Sequence, residues 1–231
     1  RCPNGIKGTS FFKKHFENKR GLLKKIFLKN ERGEKGDYYS LQNEESIKEE
    51  VQMNGIEFHI GGCLLSDINK PNMLVFDLDP DEGMDIRKVR EGVLDLKEIL
   101  DELSLTSFLK TSGGKGYHVV VPIHSCKSWK VFKSIARDIA LIMESRWPDK
   151  YVANMSKSKR KNKIFIDWLR NTKGASSVAP YSLRVRSGCP VSMPIKWSEL
   201  KLVKPNEITM EDAIKRLKRK DPWEGFFEVN M

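Results

Sequence analysis

The sequence predicts a mixed α/β fold, and three observations carry that prediction. The stretch Met73 to Leu78 is an apolar run of strand character that ends in Asp77-Leu78-Asp79-Pro80. Two longer stretches, Ile86 to Leu103 and Trp129 to Trp147, repeat apolar residues at helical spacing. Shorter strand-like segments lie between and after them, without a strict strand-helix-strand rhythm.

Taken in order, residues 1–50 are mixed and Lys-rich, with a Gly-containing turn around Arg32 to Gly36. Glu45 to Gln52 reads as a short helix leading into Asn54-Gly55, and Ile56 to Ile60 alternates as a strand. That alternation puts Glu57 and His59 on one face. Met73 to Leu78 is the central strand, and Asp85 is placed to cap the helix after it. Phe108 to Thr111 is a short strand, Ser112 to Gly116 a Gly-rich loop, and Tyr117 to Pro122 a strand. After the helix at 129–147 comes a basic loop, Lys157 to Lys163, running into a strand, Ile164 to Leu169. Ser182 to Arg186 reads as a strand, followed by a Pro-rich turn and a final helix from about Met210 to Arg219.

The 231 residues suit one large domain or two fused modules, and the expectation is a single domain, 1–231, with a smaller module over roughly 1–70 and a larger one over 71–231. Apolar residues make up 39%, enough for a core, so disorder is not the expectation. Lys and Arg number 42 against 31 Asp and Glu, a net charge of +11. That excess favours a polyanionic partner such as nucleic acid, nucleotides or an acidic membrane surface, though a solvated basic face gives the same balance. Cys2, Cys63, Cys126 and Cys189 are far apart and lack C-x-x-C spacing. They read as free thiols in a reducing compartment. No apolar run is long enough to span a bilayer and no signal peptide is evident, so a cytoplasmic protein is expected. The chain begins at Arg1 without a Met, as expected of a processed or trimmed product.

Four patterns carry chemistry. Asp77 and Asp79, at i and i+2 on a strand, share one face at the edge of an apolar core. Carboxylates there need a cation or donors, and hard divalent metals take oxygen ligands. A lone D-x-D also reads as a solvated turn. Asp167 interrupts the apolar strand 164–169, where a single Asp is commonly a satisfied structural carboxylate. Joined to the D-x-D, it supplies a third ligand for a two-metal site that activates a 3′-hydroxyl. Lys110 to His118, KTSGGKGYH, combines small residues whose backbone N–H groups can cradle phosphates with Ser112, Gly113, Lys115 and His118. It matches neither the Walker A nor the G-x-G-x-x-G spacing, and an ordinary Gly-rich turn is the alternative. Arg184 and Arg186, at i and i+2 on a strand, face the same way as a clamp for a triphosphate, with a solvated basic strand as the alternative, and Arg160 in the basic loop is a further candidate. A lone strand histidine such as His59 is usually structural.

Together these blocks resemble the polymerase domain of bacterial DNA ligase D, a branch of the archaeo-eukaryotic primase superfamily. The resemblance runs from RCPNG (1–5) to WSEL (197–200), through Phe11-Phe12, Glu57-Phe58-His59, VFDLDPDEG (75–83), KTSGGKGYHVVVP (110–122), IFIDWLRN (164–171) and APYSLRVRSGCPVSMP (179–194). It implies the primase-polymerase fold, a catalytic mixed sheet flanked by helices. It implies that Asp77, Asp79 and Asp167 hold two divalent ions, manganese or magnesium. His59 would then sit near the incoming sugar, and Ser112, Lys115, His118, Arg160, Arg184 and Arg186 would surround the triphosphate. Phe11 and Phe12 would stack on the template strand. The implied activity is addition of NTPs or dNTPs, with a preference for ribonucleotides, to primer 3′-ends. That activity fills gaps and processes broken DNA ends in non-homologous end joining, with Ku and a DNA ligase as partners and the nucleoid as the place of action.

Two departures stand out. Ile60-Gly61-Gly62 comes after His59 where the family has Pro-Trp, and the family's longer N-terminal segment, which helps to bind a 5′-phosphate, is expected to be lacking. A haloacid-dehalogenase-type phosphatase also ends an apolar strand in D-x-D. That chemistry calls for Gly-Thr or a similar pair next, and this chain has Pro80-Asp81-Glu82-Gly83 in its place. A non-catalytic DNA-end-binding module is the other alternative.

Overall fold

The computed structural model describes residues 1–15, 21–31, 33–123 and 128–229. A hairpin comes first, β1 (Lys24–Lys29) against antiparallel β2 (Lys35–Ser40). Arg32, in its expected turn, lies outside the described residues. Helix α1 (Glu44–Gln52) begins at Asn43, whose side chain accepts from the Ser46 amide in a capping box. A two-residue strand β3 (His59–Ile60) is next, then β4 (Met73–Pro80) and α2 (Ile86–Glu102). The expected cap is present: the Asp85 carboxylate accepts from the Arg87 amide at 2.8 Å. Then come β5 (Phe108–Thr111), β6 (Tyr117–Pro122), α3 (Trp129–Arg146), β7 (Tyr151–Val152) and β8 (Ile164–Asp167). The C-terminal part holds β9 (Ser177–Val178), β10 (Ser182–Leu183), β11 (Val191–Ser192), β12 (Pro194–Ile195) and α4 (Met210–Arg216).

The main sheet has the order β12-β5-β6-β4-β8-β7. All its pairs are antiparallel except β7 with β8. Alternation along β4 sends Leu74, Phe76 and Leu78 to one face, where they bury with Val89, Val93 and Leu96 of α2 and Phe132, Ala136 and Met143 of α3. Both long helices therefore cover one face of the sheet. On the opposite face, Val75 and Val120 are covered by Phe226, with Trp223 and Phe108 packed beside them. The rest of that face carries the polar residues of the site.

Three expected strands are shorter than their patterns. Only His59–Ile60 of 56–60 is paired, to β9. The strand expected over 164–169 stops at Asp167, because Asp167 Oδ1 accepts from the Leu169 amide and turns the chain. The strand expected over 182–186 stops at Leu183, and the Arg186 amide donates back to the Arg184 carbonyl at 2.8 Å. The last helix ends at Arg216, three residues early. Cys2, Cys63 and Cys189 are free thiols, and Cys126 lies outside the described residues. No described helix is long and apolar enough to cross a membrane.

Candidate active site

The sheet register builds the site. Lys110 on β5 pairs with His118 on β6, His118 with Asp77 on β4, and Asp77 with Asp167 on β8. Residues directly opposite one another in antiparallel strands present side chains to the same face. One line across four strands therefore sets a lysine, a histidine and two carboxylates side by side, and Asp79 joins that face two residues along β4. It is the face not covered by α2 and α3.

Each carboxylate has a basic neighbour. His118 Nε2 lies 3.4 Å from Asp77 Oδ1, Arg170 Nε 3.1 Å from Asp167 Oδ2, and Arg160 Nη1 3.6 Å from Asp79 Oδ2. Burial pushes the Asp77 carboxyl up, but His118, Arg170 and Lys110 outweigh it and hold the group at about 2. Burial raises Asp79, and the charge on Asp77 raises it further. Asp167 is raised by burial, against the pull of Arg170. The set thus carries a repulsion that its own cations do not fully relieve.

Lys110 is 2% exposed, and its Nζ donates to Ser192 Oγ at 2.6 Å. Burial pulls this ammonium down to about 7. His118 is also lowered, by burial and then by Lys110, and its Nδ1 has no hydrogen-bond partner.

The loop between β5 and β6 is held by its own serine. Ser112 Oγ accepts from the Gly114 and Gly116 amides at 3.1 and 3.3 Å and donates to the Gly116 carbonyl at 2.7 Å. Its hydroxyl closes the loop, and Ser112 also lines the cavity beside it. Gly113 has φ +64, and a Cβ there would meet Arg184 Cγ at 2.5 Å. A Cβ on Gly116 would lie 2.1 Å from the Leu78 carbonyl oxygen. The loop accordingly sits down on β4 and beneath Arg184. A cavity of about 250 Å³ opens between loop and carboxylates, lined by Asp77, Asp79, Ser112, Lys115, His118, Arg184 and Arg186. Gly113 lines the neighbouring cavity instead.

Glu57 ties His59 and Arg184 together. Its Oε1 lies 2.7 Å from His59 Nε2, and its Oε2 lies 3.1 Å from Arg184 Nε and accepts from the Val185 amide at 2.9 Å. Burial pushes its carboxyl up, but His59, the Val185 amide and Arg184 prevail and hold it at about 2. Arg184 Nη1 also donates to the Ser112 carbonyl, which joins the loop to this cluster. Phe12 meets His59 edge to face at 5.4 Å and is 81% exposed, while Phe11 is 50% exposed. Neither phenylalanine belongs to the core.

The sequence-predicted residues thus gather around one face. Lys115, His118, Arg184 and Arg186 line the cavity with Asp77 and Asp79. Asp167 stands beside Asp77 but is tied to Arg170 and Leu169. Arg160 lies over the Phe165 ring at 3.7 Å and leans toward Asp79 rather than toward the cavity cations. Lys110, Glu57 and Arg170 are the site residues to which sequence alone assigned no role. Alternation gave a signal for two of them: Lys110 falls on the His118 face, and Glu57 on the His59 face.

A model of the family described as "LigD, primase-polymerase domain" matches residues 1–223. The Pseudomonas aeruginosa protein named "Multifunctional non-homologous end joining protein LigD" is 37% identical over 232 residues, covering 98% of this chain. The Mycolicibacterium smegmatis protein of that name is 29% identical and covers 94% of the chain. The chain spans only 27% and 29% of the lengths of these two relatives. Among solved structures, the polymerase domain of Mycobacterium tuberculosis ligase D in complex with DNA superposes with a TM-score of 0.86 at 27% identity. That match covers 100% of this chain and 84% of the other.

Proposed function

The chain belongs to the LigD primase-polymerase family, a family of nucleotidyltransferases, and from that premise we propose that it extends primer 3′-ends from a template, using nucleoside triphosphates, at gaps and broken DNA ends. The observation that carries this reading is the register line that sets Asp77 beside Asp167, next to a cavity lined by Lys115, Arg184 and Arg186. The phosphatase and the non-catalytic module lose their support, because the whole chain follows a primase-polymerase pattern.

The carboxylates fit divalent metals. They are all oxygen donors on one face, and two of them are raised by burial and mutual charge, which a cation reverses. Among the described residues no three acidic, His or Cys side chains draw into a closed cluster. Asp77, Asp79 and Asp167 would therefore hold ions only together with further oxygen ligands, such as nucleotide oxygens and water. When bound, two manganese or magnesium ions would supply Lewis acidity toward the attacking 3′-hydroxyl and the departing pyrophosphate.

The chain's own residues do the rest. Arg184, Arg186 and Lys115 take the charge of the triphosphate, and the Ser112-closed loop offers backbone amides. Glu57 aims Arg184 and His59 from one carboxylate. His118, Arg170 and Lys110 keep Asp77 ionised. Phe11 and Phe12 offer aromatic surface to a template base beside His59. A preference for ribonucleotides, addition without a template, a role in end joining with Ku and a ligase, and action at the nucleoid extend the same proposal. So does the division into an N-terminal module over roughly 1–70 and a catalytic module over 71–231.

The test is extension of a primed template with nucleoside triphosphates and manganese. Asp77→Ala and Asp79→Ala should each abolish extension and keep the melting temperature within a few degrees of the native value. Near-native extension by either variant would remove the carboxylates from the reaction.

A further inference from the structure

Beside the triphosphate cavity lies a larger one of about 520 Å³. The two share a wall of Gly114, Lys115 and Arg186. Asp77, Asp79, His118 and Arg184 line the smaller cavity and are absent from the lining of the larger. An α-phosphate under attack has to lie beside the carboxylates. On the nucleotide reading of the smaller cavity, the phosphate chain would run from the carboxylates toward the shared wall of Gly114, Lys115 and Arg186, and its terminal phosphate would face the larger cavity.

That second cavity has a different chemistry. Pro80, Met84, Ile86, Pro190 and Pro205 give it an apolar floor, and Met84 and Ile86 pack against the main core. Its charged lining residues are of both signs, Asp81, Glu82 and Lys204, and Glu82 Oε1 lies 4.0 Å from the ammonium of the shared Lys115. A further run of phosphates would meet those two acids, whereas a flat uncharged group would meet the prolines. The walls are preformed. Asp81 Oδ2 accepts from the Asn162 amide at 2.8 Å, and the Lys204 amide donates to Glu207 Oε1 at 2.8 Å. The volume falls within the range of about 300–1,000 Å³ usual for small-molecule sites.

We propose that this cavity accepts an aromatic group esterified to the terminal phosphate of the incoming nucleotide, so that aryl esters of nucleoside triphosphates are substrates. The inference rests on the nucleotide reading of the smaller cavity. In the reaction the primer O3′ bonds to the α-phosphorus, and the bond from that phosphorus to the α,β-bridging oxygen breaks with its electron pair. The hydroxyl proton passes to water, and the leaving group is the aryl-esterified pyrophosphate.

The experiment uses a nucleoside triphosphate carrying a fluorescent coumarin ester on its terminal phosphate. Binding is read by anisotropy, with the plain nucleotide as competitor, and extension is read on a primed template with manganese. The variant is Asn206→Trp, which fills the larger cavity from an exposed position outside the triphosphate cradle. Lys204→Trp is the second variant should the first lower the melting temperature. The ester should bind within about threefold of the plain nucleotide and be incorporated, while the tryptophan weakens the ester about tenfold and leaves the plain nucleotide unchanged. An ester that binds the native enzyme more than about tenfold more weakly than the plain nucleotide overturns the proposal. So does a tryptophan that affects both ligands equally or neither. If plain nucleotide neither binds nor is extended, the reading of the smaller cavity fails, and the inference falls with it.

Discussion

At the scale of single residues, one carboxylate and one ammonium set the behaviour of the site. Glu57 contacts His59, Arg184 and the Val185 amide at once. Glu57→Gln keeps the shape and an acceptor but loses the charge. It should raise the nucleotide KM by about tenfold or more, since a charge-assisted hydrogen bond contributes about 1.5–3 kcal/mol. A change in DNA affinity with no change in KM would detach Glu57 from nucleotide binding. Lys110 makes the opposite case. Its ammonium is held down to about 7 from the usual 10.5, first by burial. In the folded chain it releases its proton near pH 7, whereas the unfolded chain keeps it until about 10.5, so stability rises with pH across that window. Lys110→Met should therefore melt higher than the native protein below about pH 7, by about 1–4 kcal/mol, and lose that advantage by about pH 10. It should also slow extension, because Asp77 loses a supporting charge. Thermal scans at the two pH values, beside extension rates, check both halves.

Among elements, the long periodic ones were the most legible. Both long helices and strands β4, β5 and β6 stand where their apolar periods put them, because each faces a single core. The short extended segments were not legible in the same way. Around Glu57 and Arg184, chain direction is set by contacts between distant residues: the Phe58 amide donates to Ser182 Oγ and the Val185 amide to Glu57 Oε2. No local period encodes such partners. For the same reason Arg184 and Arg186 reach one cavity through a turn, not through strand alternation. Ser112 stands out in the sequence as part of a Gly-rich loop, but its bonds to Gly114 and Gly116 need the loop's coordinates to be seen. That loop makes a sharp prediction. Gly116→Ala would drive a Cβ to 2.1 Å from the Leu78 carbonyl oxygen, so β4 and the loop have to part. Stability should fall by about 1–3 kcal/mol in denaturant titration, and extension should fall further than stability alone accounts for. A variant of native stability and native activity would show that the loop is free to lift.

For the whole molecule, the net charge of +11 and the exposed aromatic pair act on different terms of binding. If the basic surface meets DNA phosphates, affinity should drop steeply and linearly in a plot of log K against log salt. Phe12 is 81% exposed, so Phe12→Ala should leave the melting temperature unchanged. It should lower affinity for gapped DNA by about 1–3 kcal/mol at every salt concentration, a parallel offset in the same plot. A change of slope without an offset would remove the stacking role. The Phe12 ring also rests against His59, so the same variant reports whether template contact and the active centre are joined.

The register line from Lys110 to Asp167 has a consequence for failure as well as for function. Strand alternation has a period of two, so a slip of β8 by one residue would bring Ile166 beside Asp77 and turn Asp167 into the apolar layer under the helices. Such a slip buries a charge and exposes an isoleucine in the same stroke, which makes it a poor refuge on the way to unfolding. A weakened but misaligned enzyme is thus disfavoured by the same alternation that assembles the site. Heating should therefore take activity and sheet structure away together, in one transition, with no plateau of partial function between them.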